Sequence, residues 1–388
     1  MTETLQRIHV FMIAGEPSGD ALGSYLIKEL KNINKAEIYF SGVGGPLMAS
    51  AGFTSLFDYR QLAVMGFAEV LPSLPRLLMR INEVSKEIDK VCPDIIVTID
   101  SPSFGLRVLK RLKRHSQPRI HYVAPQFWAW RPNRIHKFKL YVDHVLALFP
   151  FEPDFFKQFD MPCSFVSHPA IETRSDGNAG EYFRKRFSIN SNSTVLCALP
   201  GSRVSEVKRL LPIIIKVVER LALNHTDLHV VIPTVSTVNS LIKKTKISGV
   251  PVTIIENPKD KFAAYSASDI AITASGTASL ELACALVPAV VIYKVSWLTG
   301  LFARLLLNVK HVSIVNLIAQ KEVFPEFIQE NCNETKIYNE VNRLITDSNL
   351  RHKIITEESS VIKKLQTVES SPSRKAALEV MRIKQEFK

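Results

Sequence analysis

The segment AGEPSGD, residues 14–20, places Glu16 and Asp20 between an apolar run, Ile8 to Ile13, and a helix-like stretch, Ala21 to Leu30. Acids, glycines and a proline therefore fall on the first strand-to-helix turn. In an open α/β sheet that is where ligands bind. A dinucleotide site asks for G-x-G-x-x-G at this place. Glu16 and Asp20 suit sugar hydroxyls or another acceptor better than a phosphate. The plainer reading is a tight turn with Asp20 favourably placed near a helix start. Asp100 stands in a comparable position, after the apolar run Ile95 to Ile99. A carboxylate there, tuned by burial, can take a proton from a hydroxyl. Glu16 is its rival or helper. A cap on the following helix is the plain alternative for Asp100.

A second set of groups suits a diphosphate. LPGSR, residues 199–203, puts Gly201 and Ser202 straight after a strand-like run, with Arg203 able to fork onto phosphate oxygens. ASGTASLE, residues 274–281, puts Ser275, Gly276 and Thr277 at a helix start, where amides and the helix dipole attract anions. Glu281 follows Thr277 by one helical turn and can accept ribose hydroxyls. The alternative is that Ser275 or Thr277 merely caps the helix and Glu281 faces water. No G-x-x-x-x-G-K-[ST] occurs, which argues against ATP hydrolysis.

These groups need scaffolding, and the sequence supplies it. Strand-like and helix-like segments alternate through most of the 388 residues, the pattern of parallel sheets covered on both faces. A polar stretch, 173–180, interrupts the series, and a second series follows. Two α/β domains with a cleft between them are expected: 1–172 for the acceptor and 173–350 for the donor. Helices over 351–388 follow and can pack back on the first domain. The net charge of +12 fits nucleic acid, an anionic membrane or a phosphorylated small molecule. Five scattered cysteines without C-x-x-C spacing suggest neither a zinc site nor a disulfide framework. No signal peptide is read at the N-terminus. No segment approaches the ~20 apolar residues of a membrane span.

Residues 62–79 are unusually apolar, and Pro72 and Pro75 argue against one long regular helix there. Val64, Met65, Phe67 and Leu71 are the expected acceptor or membrane contacts, as in an interfacial element. Arg76, Arg80 and the basic stretches 107–114 and 131–139 would draw it to anionic lipid. Burial under the first sheet is the competing reading. Trp128 and Trp130 are candidates for lining the acceptor cleft, or are packing aromatics. His168 reads as structural near the domain crossing, and His121 as a satisfied core histidine.

The chain closely resembles the lipid-A-disaccharide synthase family. The matching segments are AGEPSGD, VGGPLMASAG (43–52), IDSPSF (99–104), YVAPQFWAWRPNR (122–134), LFPFE (148–152), LPGSR, SGTASLE and PEFIQ (325–329). The resemblance implies two Rossmann-like domains facing a central cleft, the GT-B type of glycosyltransferase. It implies inverting transfer of 2,3-diacylglucosamine from its UDP derivative to 2,3-diacylglucosamine 1-phosphate (lipid X), making a β-1,6 link. No cofactor or metal is implied, and UDP is a product. Asp100 matches the family's catalytic candidate, Glu281 its ribose ligand, and Asn316 a residue near the uracil or diphosphate. The expected partners are the two lipid substrates, an anionic inner-membrane surface on its cytoplasmic face and a second copy of the chain, with no nucleic acid. Two departures are Ser167 and Glu172, where the family often has glycine and aspartate. A third is Val315, where it has proline. The alternatives are another UDP-sugar enzyme, such as a UDP-N-acetylglucosamine epimerase, and a basic nucleic-acid-binding protein. The latter lacks any accompanying recognition motif.

Overall fold

The computed structural model describes residues 7–34, 36–59, 70–112, 117–129, 132–172, 178–295, 310–366 and 370–387. The chain divides into two compact units, Met1–Pro169 with Thr367–Lys388, and Ala170–Gln366.

In the first unit the elements run β1 (Ile8–Ala14), α1 (Pro17–Ile33), β2 (Ile38–Gly44), α2 (Pro46–Ser50), β3 (Thr54–Asp58), α3 (Val70–Val91) and β4 (Ile95–Ile99). There follow α4 (Pro102–Arg111), β5 (Arg119–Tyr122), α5 (Ile135–Phe138), β6 (His144–Ala147), α6 (Glu152–Lys157) and β7 (Cys163–Phe165). The strands form one seven-stranded sheet in the order β3-β2-β1-β4-β5-β6-β7, with all pairings parallel. Helices cover parallel strands on both faces, so a central strand is nearly all apolar and any polar group in it must be hydrogen-bonded. β4, Ile-Ile-Val-Thr-Ile, is buried at every position.

The second unit repeats the plan. It contains α7 (Ala179–Arg186), β8 (Thr194–Leu199), α8 (Val204–Ala222), β9 (Leu228–Pro233), α9 (Asn239–Lys243), β10 (Val252–Ile255) and α10 (Lys261–Ser266). Next come β11 (Ile270–Ala274), α11 (Thr277–Cys284), β12 (Ala289–Tyr293), α12 (Ile314–Ala319), β13 (Glu326–Ile328), α13 (Glu334–Thr346) and α14 (Ser348–Leu365). Its six strands are parallel in the order β10-β9-β8-β11-β12-β13.

Each sheet order reverses once, between β1 and β4 and between β8 and β11. At such a reversal the connections leave in opposite directions and open a crevice beyond the strand C-termini. AGEPSGD and IDSPSF flank the first crevice, since Ala14 pairs with Ile99. LPGSR and ASGTASLE flank the second, since Thr273 pairs with Leu199.

Three expectations change. The helix after β1 begins at Pro17, not Ala21, because proline at the first helical position has no amide bond to lose. Glu16 is its N-cap, and Asp20 lies inside the first turn. Helix α3 passes through Pro75 without a break. Pro75 has no amide to give to the ladder, so one bond is missing there while the helix continues. The last boundary falls at 366/367 rather than 350/351. Helix α14 packs on α11, α12 and α13 and so stays with the second unit, whereas α15 (Pro372–Glu386) packs on α1.

Candidate active site

The first crevice is built around Asp100. Asp100 and Ser101 both adopt left-handed backbone, φ 51° and 36°. Val123, just past β5, has φ 80°, and Ser167, past β7, has φ 73°. Left-handed backbone is costly for side chains with Cβ, most of all a β-branched one. Four such residues on one edge of one sheet mark where the fold stores strain, a habit of functional sites. Ser18 Oγ donates to Asp100 Oδ2 at 2.7 Å, so the first turn of α1 orients the carboxylate. Gly19 makes this approach possible, because a Cβ there would lie 3.2 Å from the Ile99 carbonyl oxygen. Glu16, exposed at the N-cap, stands at the end of the neighbouring strand.

Asp20 has another task. It is buried, and its carboxylate accepts from the amides of Gly45 (3.0 Å), Leu47 (3.1 Å) and Met48 (2.9 Å). It therefore closes the N-terminus of α2, the start of the VGGPLMASAG segment, and offers little to a ligand. The expectation that both acids of AGEPSGD face an acceptor holds no longer for Asp20.

Beneath Asp100, His121 Nδ1 lies 2.7 Å from Thr98 Oγ1, which itself donates to the Ile120 carbonyl. Nε2 is buried and has no hydrogen-bond partner among the described residues. His121 is only half satisfied, contrary to expectation. Burial pulls its pKa down to about 4, against the nearby Asp100 charge, so the ring is neutral. His168 is also held neutral by burial, at about 4, and stacks on Phe149 at 6.2 Å. Trp128 turns its indole N–H inward onto Glu152 Oε1 at 3.3 Å and meets Phe151 edge-on. Trp130, Val64, Met65 and Phe67 lie outside the described residues; Leu71 belongs to α3, but its side chain lies outside the described part as well.

In the second crevice Gly201, at φ 113°, lets the chain turn from β8 into α8. Arg203 is the N-cap of α8 and largely exposed. Across the crevice, Gly276 is the N-cap of α11 and has no side chain to cap it, and among the described residues a Cβ on Gly276 would meet nothing within 4 Å. Ser275 Oγ is tied to the Val312 carbonyl at 2.9 Å, while Thr277 is exposed. Glu281 receives Lys261 Nζ at 2.7 Å and the Tyr265 hydroxyl at 3.1 Å, and each oxygen keeps a further lone pair.

The Lipid-A-disaccharide synthetase family model matches residues 10–380. Over 377 residues the chain is 42% identical to the lipid-A-disaccharide synthase of Rhodospirillum centenum, covering 96% of this chain and 94% of that one. The chain belongs to the lipid-A-disaccharide synthase family. It is a glycosyltransferase of lipid A biosynthesis. The same-named protein of Gluconobacter oxydans is 40% identical over 376 residues, covering 96% and 90% of the two chains. A UDP co-structure of S. aureus MnaA matches with a TM-score of 0.65 at 15% identity over 98% of each chain, a likeness of fold alone. Membership in this family removes the nucleic-acid-binding alternative.

Within this family member, Asn316 needs reassignment. It is fully buried, its Nδ2 donates to the Phe324 carbonyl and Glu326 (both 2.8 Å), and its Oδ1 accepts from the amides of Val323 and Phe324. All four hydrogen-bonding positions are filled, leaving none for a nucleotide. Its place is to shape the segment after β12, together with Glu326. That carboxylate also gathers the amides of Val312 (3.0 Å) and Ser313 (2.8 Å). The sequence motifs do not point to Glu206, Lys261 or Tyr265, nor to the role of Glu326. Only Glu326 carried a signal, as the acid of PEFIQ. Among the described residues no group of three or more His, Cys, Asp or Glu could hold a metal ion.

Proposed function

We propose that this enzyme transfers 2,3-diacylglucosamine from UDP-2,3-diacylglucosamine to lipid X. Asp100 takes the proton of the acceptor hydroxyl. The oxygen attacks the anomeric carbon from the face opposite the diphosphate. The bond to the phosphate oxygen breaks, and a β-1,6-linked disaccharide 1-phosphate and UDP result. Arg203 and the amides of Gly276 and Thr277 stabilise the charge that develops on the departing UDP. Glu281 accepts from the ribose, and Glu16 assists at the acceptor. The observation that carries this reading is a strained carboxylate at one topological switch, and at the other a cation with a helix start whose N-cap is a glycine.

The acceptor is acylated, so the enzyme works at the cytoplasmic face of the inner membrane as a peripheral protein. Leu78 and Met79 on α3 are 49% and 57% exposed, next to exposed Arg76. Leu77 and Ile81 turn into the core. Arg80 lies over Phe57 at 4.5 Å and pairs with Glu83, so it contributes little to a lipid surface. No helix among the described residues is long and apolar enough to cross a membrane.

Product analysis by mass spectrometry and NMR tests the reading. Incubation with the two substrates should give equimolar UDP and a β-1,6 disaccharide 1-phosphate. Release of a free or epimerised sugar without disaccharide would favour the epimerase alternative.

A further inference from the structure

The LPGSR turn already holds an anion. Glu206 Oε2 accepts from the Ser202 amide at 3.2 Å and the Arg203 amide at 3.3 Å, and Oε1 receives Arg203 Nη1 at 3.2 Å. An ordinary capping box would bind only the N-cap amide. Here one carboxylate gathers two successive amides and the guanidinium. Gly201 accommodates it, since a Cβ there would lie 2.5 Å from Glu206 Oε2. The glycine of LPGSR thus makes room for this carboxylate as well as for the backbone turn.

We infer that Glu206 is an internal counter-ligand: it occupies the diphosphate-binding groups of the turn in the free enzyme, yields them to the donor and reclaims them as UDP leaves. This rests on the assignment of the diphosphate to Arg203 and the LPGSR turn. Three features make the exchange feasible. The contacts are at the long end of the N–H···O range, whereas a diphosphate can form shorter, charge-assisted bonds. The turn is pinned from its other side by Thr237 Oγ1, which donates to the Ser202 carbonyl at 3.0 Å. The backbone can therefore stay while a three-torsion side chain swings away. Finally, Glu206 is mostly shielded while Arg203 is 76% exposed, so the guanidinium stays reachable by a ligand.

The consequence runs against the usual effect of damaging a binding site: loss of the Glu206 charge should tighten UDP. The test is calorimetric titration of wild type, Glu206→Gln, Glu206→Ala and Arg203→Ala with UDP and with uridine. Thermal unfolding would check that each variant is folded. Glu206→Gln should bind UDP about tenfold more tightly, with uridine affinity unchanged. The gain should persist at ~0.5 M salt, where a mere change in the surrounding field is screened. Unchanged or weaker UDP binding by Glu206→Gln, or a gain that vanishes in salt, overturns the inference. If Arg203→Ala leaves UDP affinity intact, the nucleotide assignment itself fails. If Arg203→Ala weakens UDP but Glu206→Gln does not tighten it, only the counter-ligand role fails. Should Glu206→Gln unfold, Glu206→Ala supplies the same comparison.

Discussion

Replacing Asp20 by asparagine should destabilise the first unit without touching a ligand group. Oδ1 serves the amides of Gly45 and Met48, and Oδ2 that of Leu47. Asparagine retains one acceptor oxygen but turns an NH₂ group toward the remaining amide. Charge-assisted hydrogen bonds contribute about 1.5–3 kcal/mol each, and neutral ones about half as much. Two bonds weakened and one replaced by a donor–donor contact would sum to about 3–6 kcal/mol if independent. They share one carboxylate and one short helix, so the lower end, about 3 kcal/mol, is expected. In a unit of this size each kcal/mol lowers the midpoint by about 2–4 °C, giving a fall of roughly 6–12 °C. Thermal unfolding followed by circular dichroism measures it, with Asp20→Ala, which loses every acceptor, as the more severe companion. A midpoint for Asp20→Asn within 2 °C of wild type would refute the reasoning.

Other expectations follow from buried and strained groups. Glu358, on α14, is fully buried, and among the described residues neither carboxyl oxygen has a hydrogen-bond partner, so Glu358→Leu should stabilise the second unit by about 1–3 kcal/mol; a lower denaturation midpoint would contradict this. Burial pushes the Glu152 carboxyl up to about 8 from 4.5, so the folded state holds a proton that the unfolded state releases. Its stabilising contribution is complete below about pH 4.5 and is lost as pH rises toward 8. Urea titrations of Glu152→Gln should show a flatter pH dependence across that window, and an unaltered slope would count against it. Ser167, buried with φ 73°, should gain about 1 kcal/mol on replacement by glycine, because glycine adopts this conformation freely. Loss of stability in Ser167→Gly would mean that the hydroxyl's contacts outweigh the backbone strain.

Much of the scaffold was legible because buried parallel strands read as unbroken apolar runs. The runs before Ala14, Asp100, Gly201 and Ser275 all proved to be strands. The motifs at their C-terminal ends were legible for the same reason: a strand followed by a helix fixes where a turn must lie. What escaped was contact between residues far apart in sequence. Asp20 closes a helix 25–28 residues away, and local pattern suggests only its own helix dipole. The resemblance points Asn316 toward the nucleotide, but the turn at Val323 and Phe324 folds back and fills its amide oxygen. Local pattern makes Pro75 a break, yet the packing of Leu77, Ile81, Val84 and Ile88 into the core favours continuing α3 past one missing bond. The left-handed backbone of Asp100 and Ser101 left no trace in composition, since neither residue is a glycine.

The central claim is that Asp100 is the base and that the nucleotide is held elsewhere. Asp100→Asn is nearly isosteric and can still accept from Ser18, so it should fold. Its kcat for disaccharide formation should fall by about 10²–10⁴-fold, the usual worth of a general base, while its UDP affinity by calorimetry stays within about threefold of wild type. Near-normal kcat in a folded Asp100→Asn variant would contradict the account.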